Sequence, residues 1–296
     1  MALVALITGA SSGIGEATAR RLAREPGAEL VLVARREQRL QRLADGLGGA
    51  TVIAADLTDP AAPARIRDAI ESGYGRLHLL VNNAGASWRG RFGEVGWANV
   101  EQHMKLNFEA PVRLTEALLP LLRRTARSEP GRVAIVNVAS TAARVARPES
   151  GAYSASKSAL AGWSDSLYAE ELPHGVHVGL VLPGFVATEG FPASELRARA
   201  ATRWMVSRPE RVAEAILEAG PGRKAERYVP RGYWLPAALR ILAPALVRRA
   251  TAGGAFSTST GTPADPAETA APAAAAGTPD AAASDAAGTN ARATGG

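Results

Sequence analysis

The chain of 296 residues has no cysteine, which excludes disulfides and thiolate metal sites. Histidine is scarce, and His78, His103, His174 and His177 form no tight ligand cluster. His174 and His177 are three apart, but Pro173 and Gly175 flank the first, so no metal site is expected. Lysine is limited to Lys105, Lys157 and Lys224, and arginine supplies the rest of the 34 basic residues. No stretch reaches the roughly 20 apolar residues of a membrane-spanning helix. The apolar run at 3–7 is too short for a signal-peptide core and lacks a basic leader. A cytoplasmic location is therefore expected. Recognition-helix signatures and basic patches interleaved with aromatics are also missing, so no nucleic-acid partner is expected.

What remains is an ordinary globular composition, 47% hydrophobic and 21% charged. The net charge is +6. Most of the basic excess falls late, with twelve basic against four acidic residues over 197–249. Such a face attracts phosphorylated ligands or anionic lipid, or is simply a solvated arginine-rich surface.

Short Val/Ile/Leu-rich runs at 3–8, 30–34, 52–55, 77–81, 132–138 and 176–182 read as buried parallel strands, with a weaker seventh at 227–229. Helical patterns such as 111–125 and 152–172 lie between them. This alternation predicts an α/β fold: a Rossmann-type doubly wound parallel sheet of about seven strands, with helices on both faces. One catalytic domain over 1–250 is expected, with no internal repeat. From Thr251 to Gly296 the chain is almost all Ala, Gly, Thr, Pro, Asp and Ser. Such a composition cannot bury enough apolar surface to offset chain entropy, and a disordered tail is expected. Truncation after Phe256 should leave melting temperature and cofactor affinity unchanged. A marked loss of either would show that the tail packs.

The first strand runs into Thr8-Gly9-Ala10-Ser11-Ser12-Gly13-Ile14-Gly15, and a helix follows. Glycines here permit a tight strand-to-helix turn and a close backbone approach to a pyrophosphate. The helix N-terminus offers free N–H groups to the anion. Gly9, Ser11, Ser12, Gly13, Ile14 and Gly15 are thus candidate cofactor contacts. Arg35 and Arg36 follow the second strand, where an acid would select NAD and an arginine suits the 2′-phosphate of NADP. NADP is favoured over NAD, chiefly through Arg35 with help from Arg36.

Tyr153 and Lys157 stand four apart in the predicted helix 152–172 and share a face. A free tyrosine exchanges protons poorly at neutral pH, and a nearby ammonium lowers its pKa. Ser140 ends the fifth strand, where open α/β sheets place ligands. A hydroxyl there can hold a carbonyl or alcohol beside the tyrosine.

Together these motifs resemble the short-chain dehydrogenase/reductase family over roughly residues 3–230. The resemblance rests on Thr8–Gly15, Asp56, Asn82-Asn83-Ala84-Gly85, Asn107, Ser140, Tyr153, Lys157, Pro183-Gly184 and Thr188. It implies that Asn107, Ser140, Tyr153 and Lys157 form a catalytic tetrad. Tyr153 would exchange the proton. Lys157 would lower its pKa and bind the nicotinamide ribose. Ser140 would position the reacting oxygen, and Asn107 would hold a water linking Lys157 to solvent. Asp56 and Leu57 would contact adenine, Asn83 would border the adenosine end, and Val186 and Thr188, in the loop opened by Pro183 and Gly184, would hold the carboxamide. Ser12 departs from the pattern, since many NADP-using members carry a basic residue there.

The activity expected is oxidoreduction between a carbonyl and an alcohol. A non-catalytic dinucleotide sensor, or an epimerase or dehydratase on the same fold, is the alternative. Trp88, Phe185, Phe191, Trp204 and Trp234 suggest a small apolar substrate, or are ordinary core aromatics. A homo-oligomer is expected. Residues 233–249, YWLPAALRILAPALV followed by two arginines, read as a lid or subunit interface. Their alternative is a peripheral membrane contact.

Overall fold

The computed structural model describes residues 3–189 and 205–252. The expectations for Phe191, Trp204 and the chain beyond Ala252 lie outside them. Among the described residues, seven strands form one sheet: β1 (Val4–Thr8), β2 (Glu29–Ala34), β3 (Thr51–Ala54), β4 (Leu79–Asn82), β5 (Ala134–Val138), β6 (His177–Pro183) and β9 (Glu226–Val229). They lie in the order β3-β2-β1-β4-β5-β6-β9, and every pairing is parallel. The fold is the expected Rossmann-type α/β sheet.

Strands buried on both faces read as continuous apolar runs, as β1 does with all five residues buried. Its side chains still alternate between two cores. Val4 and Leu6 pack with Ile66 and Ile70 of α3 (Ala62–Tyr74) and with Leu114 and Leu118 of α5 (Ala110–Ser128). Ala5 and Ile7 join Leu22 of α1 (Gly13–Leu22), Leu40 of α2 (Glu37–Gly46) and Ile216 of α7 (Pro209–Ala219). Helices α4 (Phe92–Met104) and α6 (Gly151–Glu171) pack against each other. The strand expected at 77–81 begins at Leu79, and the weak seventh strand forms at Glu226–Val229 against β6. A second small pair, β7 (Phe185–Val186) with β8 (Val206–Ser207), has no counterpart in the sequence reading.

The chain lays down β1, β2 and β3 in one direction, then starts again with β4 on the other side of β1. This reversal opens a crevice at the carboxyl ends of β1 and β4. The carboxyl ends of β5 and β6 border the same edge of the sheet.

Candidate active site

Thr8 closes β1 and ties the crevice walls together. Its hydroxyl donates to the Val81 carbonyl (3.1 Å) and accepts from the N–H groups of Asn83 (2.9 Å) and Ala84 (3.0 Å). The Asn83 amide donates back to the Thr8 carbonyl (2.8 Å). So close an approach requires Gly9, whose φ is +67° and where a Cβ would stand 2.9 Å from Ala84 Cα. A Cβ on Gly15 would collide with the Gly9 carbonyl. The turn therefore leaves an open cradle at the N-terminus of α1, where the first N–H groups have no helical acceptor. Ile14 lines the cleft there, and Thr188 lies against Gly13. The neighbouring Asn82 points away, donating to Thr115 Oγ1 (3.0 Å) and Asn137 Oδ1 (2.8 Å) in a buried network.

Ser12 precedes α1 without capping it. Its hydroxyl instead accepts from Arg36 Nη2 at 2.7 Å, and Ser11 accepts from the same nitrogen at 3.1 Å. Arg36 and Arg39 also share Glu189, whose carboxylate sits 2.6 Å from Arg39 Nη1. The two guanidinium groups hold the Glu189 carboxyl below its usual range. Of the two arginines singled out from the sequence, Arg36 is the one folded onto the glycine turn. Arg35 is exposed. Asp56 is exposed too, with its carboxylate accepting from the Thr58 N–H (2.9 Å) and hydroxyl (2.8 Å), while Leu57 beside it is buried.

The sequence-predicted tetrad converges on one place. Ser140 leaves β5 in extended backbone; its hydroxyl donates to the Pro183 carbonyl (3.3 Å) and accepts from the Ala142 N–H (3.1 Å). Helix α6 presents Tyr153 and Lys157 to the same cleft. Lys157 is buried, and its ammonium donates to the Val138 carbonyl at 2.9 Å. Burial pulls its pKa down to about 8. Asn107 sits in a π-helical turn, Lys105–Glu109, of the kind that often marks functional sites. Its carboxamide accepts from the Ala86 N–H (3.0 Å) and donates to the Ala86 carbonyl (3.0 Å) and to Ser156 (3.1 Å). Asn107 Oδ1 and Lys157 Nζ lie 2.8 and 3.2 Å from where a Gly85 Cβ would be, so only glycine fits between them.

The Tyr153 phenol is pushed up, chiefly by burial, while the Ser140 hydroxyl and the Arg147 charge pull more weakly the other way.

The cleft has a cavity volume of about 260 Å³, and an adjoining, mainly apolar recess of about 60 Å³ shares Ser140, Gly184 and Phe185 with it. Pro183 and Val186 line the larger space. The expected substrate aromatics separate. Phe185 lines both spaces. Trp88 is not on the cleft wall; it packs edge-on against buried His103 with centroids 4.9 Å apart. Trp234 is 53% exposed and faces a separate groove. Arg147 escaped the sequence reading, which took His103 only as a histidine outside any metal cluster and Tyr233 only as the start of the 233–249 stretch. Arg147 lines both spaces. His103 accepts from the Trp88 N–H (3.0 Å) and its ring stands edge-on to Tyr153 at 6.1 Å. Tyr233 packs where a Gly184 Cβ would otherwise be, at 2.8 Å.

The stretch 233–249 forms α8 (Trp234–Leu242) and α9 (Pro244–Ala252). Tyr233, Pro236 and Ala237 wall the recess, while Leu235, Ile241, Leu242 and Leu246 face outward, exposed. Among the described residues, no helix is long and apolar enough to cross a membrane.

Comparisons with known proteins agree with this fold. Residues 3–197 match the family model described as short chain dehydrogenase. The chain is 35% identical over 229 residues to Oxidoreductase UcpA of Salmonella typhimurium, covering 74% of this chain and 81% of that protein. A Pseudomonas aeruginosa RhlG/NADP active-site complex superposes with a TM-score of 0.69 at 30% identity, over 78% of this chain and 96% of that one. A short chain dehydrogenase from Burkholderia cenocepacia in complex with NADP gives 0.67 at 29% identity, over 76% and 94%. With the family model matched over most of the chain and relatives alike in sequence and in fold, this chain belongs to the short-chain dehydrogenase family of oxidoreductases.

Proposed function

We propose that this protein interconverts a carbonyl and an alcohol by hydride transfer with NADP, with Tyr153 as the acid/base. The observation that carries the reading is the convergence of Ser140, Tyr153 and Lys157 on one cleft continuous with the glycine turn. A nicotinamide dinucleotide fits the residues present, since the tight turn that Gly9 and Gly15 permit brings the N-terminus of α1 to the cleft, where Ile14 lines it. The first N–H groups of α1 and the Ser11 hydroxyl would hold its pyrophosphate. Asp56, Leu57 and Asn83 would border its adenosine end, and Val186, Thr188 and Lys157 its nicotinamide end. When bound, the cofactor supplies or takes the hydride. Arg36 on the turn, with Arg35 beside it, supports NADP rather than NAD, as do the NADP complexes among similar structures.

The rest of the chemistry falls to the chain. Ser140, fixed by Pro183 and Ala142, presents its hydroxyl to the reacting oxygen. Tyr153, a phenol of ordinary pKa near 10 that carries its proton at neutral pH, donates that proton as a general acid when a carbonyl is reduced. In the oxidative direction it must first ionise, and the Lys157 ammonium stabilises the phenolate. Asn107 fixes the loop after β4 against α6, which holds Lys157 in place. A panel of carbonyls and alcohols with each cofactor, followed by nicotinamide absorbance, tests the reading. Tight NADP binding with no turnover on any of them would contradict it.

Holding Lys157 charged in this site costs stability. Its folded pKa, about 8, lies below its ordinary 10.5. Between those values the unfolded chain binds more protons, so unfolding free energy rises with pH through that window. Below about pH 8 the burial penalty is present in full. Lys157→Met should therefore stabilise the cofactor-free protein at pH 7, by about 3 kcal/mol at most, and the gain should shrink by pH 10. Thermal melts at the two pH values check this; equal melting temperatures at pH 7 would contradict it.

Residues 233–249 act as a roof in this reading, supported by Tyr233, Pro236 and Ala237 on the recess wall. Ala237→Phe should raise KM for a bulky ketone roughly tenfold or more without weakening NADP. Salt-sensitive sedimentation with anionic vesicles would favour a membrane contact instead.

A further inference from the structure

We infer that the substrate carries a carboxylate, and that Arg147 in the recess beside Ser140 is the residue that binds it. The inference rests on the cleft being the carbonyl site proposed above. Arg147 lines both the cleft and the recess, with its guanidinium 4.5 Å over the Phe185 ring. Its Nη1 is buried and has no hydrogen-bond partner among the described residues. Other partly buried arginines here are matched by acids: Arg123 by Glu171, Arg144 by Glu226 and Arg227 by Glu218. Arg89, at the same cleft, takes Glu149 at 3.6 Å. No carboxylate among the described residues pairs with Arg147. The ionisable groups acting on it are Arg89, Tyr153 and Tyr233; burial and the Arg89 charge push its pKa down, but a guanidinium keeps its proton.

A buried donor without a partner is costly and calls for an explanation. An arginine fork matches a carboxylate in two parallel hydrogen bonds. Stacking on Phe185 fixes its plane, so little freedom is lost on binding. Around it Val145, Met205 and Pro236 offer apolar walls for a hydrocarbon body. Ser140 lines the same recess. The ligand chemistry that satisfies all three features is an oxo- or hydroxycarboxylate with an aliphatic chain. This revises the expectation of a purely apolar substrate.

The test uses the full chain with NADPH and the 2-, 3-, 4- and 5-oxohexanoates beside their methyl esters. The readout is the acid-to-ester ratio of kcat/KM. Wild type should favour at least one acid by roughly ten- to a hundredfold, a typical range for a hydrogen bond to a charged group, mostly through KM. Arg147→Met should collapse that ratio, and Arg147→Lys should retain part of it. If Arg147 served only to stabilise the Tyr153 phenolate, acid and ester would fall together and the ratio would stay. An unchanged ratio in Arg147→Met, or esters preferred throughout by wild type, would overturn the inference while leaving carbonyl reduction intact. If wild type reduces neither acids nor esters, the failure lies with the catalytic reading. Binding then decides the inference: hexanoate, but not 1-hexanol, should raise the melting temperature of the NADP-loaded wild type, and should not do so for Arg147→Lys as strongly. Equal effects of hexanoate and 1-hexanol would overturn it, even if Arg147→Met fails to fold.

Discussion

Tyr153→Phe is expected to lower kcat by ~10²–10⁴-fold, the range for removing a positioned general acid, while NADP affinity stays essentially unchanged. The substitution deletes only the hydroxyl. The ring keeps its edge contact with His103, and the backbone carbonyl of residue 153 still accepts from Ser156 at 2.9 Å. Neither the glycine turn nor Lys157 depends on the phenol proton, since the Lys157 ammonium donates to Val138. A loss confined to kcat would place the residue in the chemical step rather than in binding. Wild-type kcat in Tyr153→Phe, on a confirmed substrate, would remove the residue from the mechanism.

Arg36→Asp is expected to weaken NADP by roughly ten- to a hundredfold, as for a lost charge-assisted hydrogen bond, and to shift preference toward NAD. Arg36 spans the serines of the turn and Glu189. An aspartate there would repel a 2′-phosphate and could accept from a 2′-hydroxyl. Arg35→Asp should have the smaller effect, because Arg36, although equally exposed, is the one hydrogen-bonded to Ser11 and Ser12 of the turn. Fluorescence titration with both cofactors distinguishes the two variants. Equal NADP affinity in Arg36→Asp and wild type would sink the assignment.

Much of the fold was legible because buried parallel strands are short apolar runs, each followed by a turn and a helix. The boundaries of β3 and β4 slipped by a residue or two, since strand ends depend on pairing with neighbours rather than on local composition. The β7–β8 pair was invisible, because two-residue strands carry no period. Within the site, the glycines, Ser140, Tyr153 and Lys157 announced themselves by spacing at strand–helix junctions. Arg147 and Arg89 did not. They come from irregular segments, and only packing reveals that one is stacked on Phe185 and the other paired with Glu149. His103 was set aside with the other histidines, since a side chain that braces a neighbour leaves no ligand-spacing signal.

The central claim is hydride transfer between a nicotinamide cofactor and a carbonyl carbon. Its most direct test is a single turnover of wild type with NADPH deuterated at the transferable position and a carbonyl that the enzyme consumes, followed by mass spectrometry of the alcohol. The account predicts deuterium on the carbinol carbon and its disappearance in Tyr153→Phe. Cofactor that binds but keeps its label, with no labelled alcohol formed from any carbonyl, would mean a sensor or an enzyme whose carbonyl is only transient, and would contradict it.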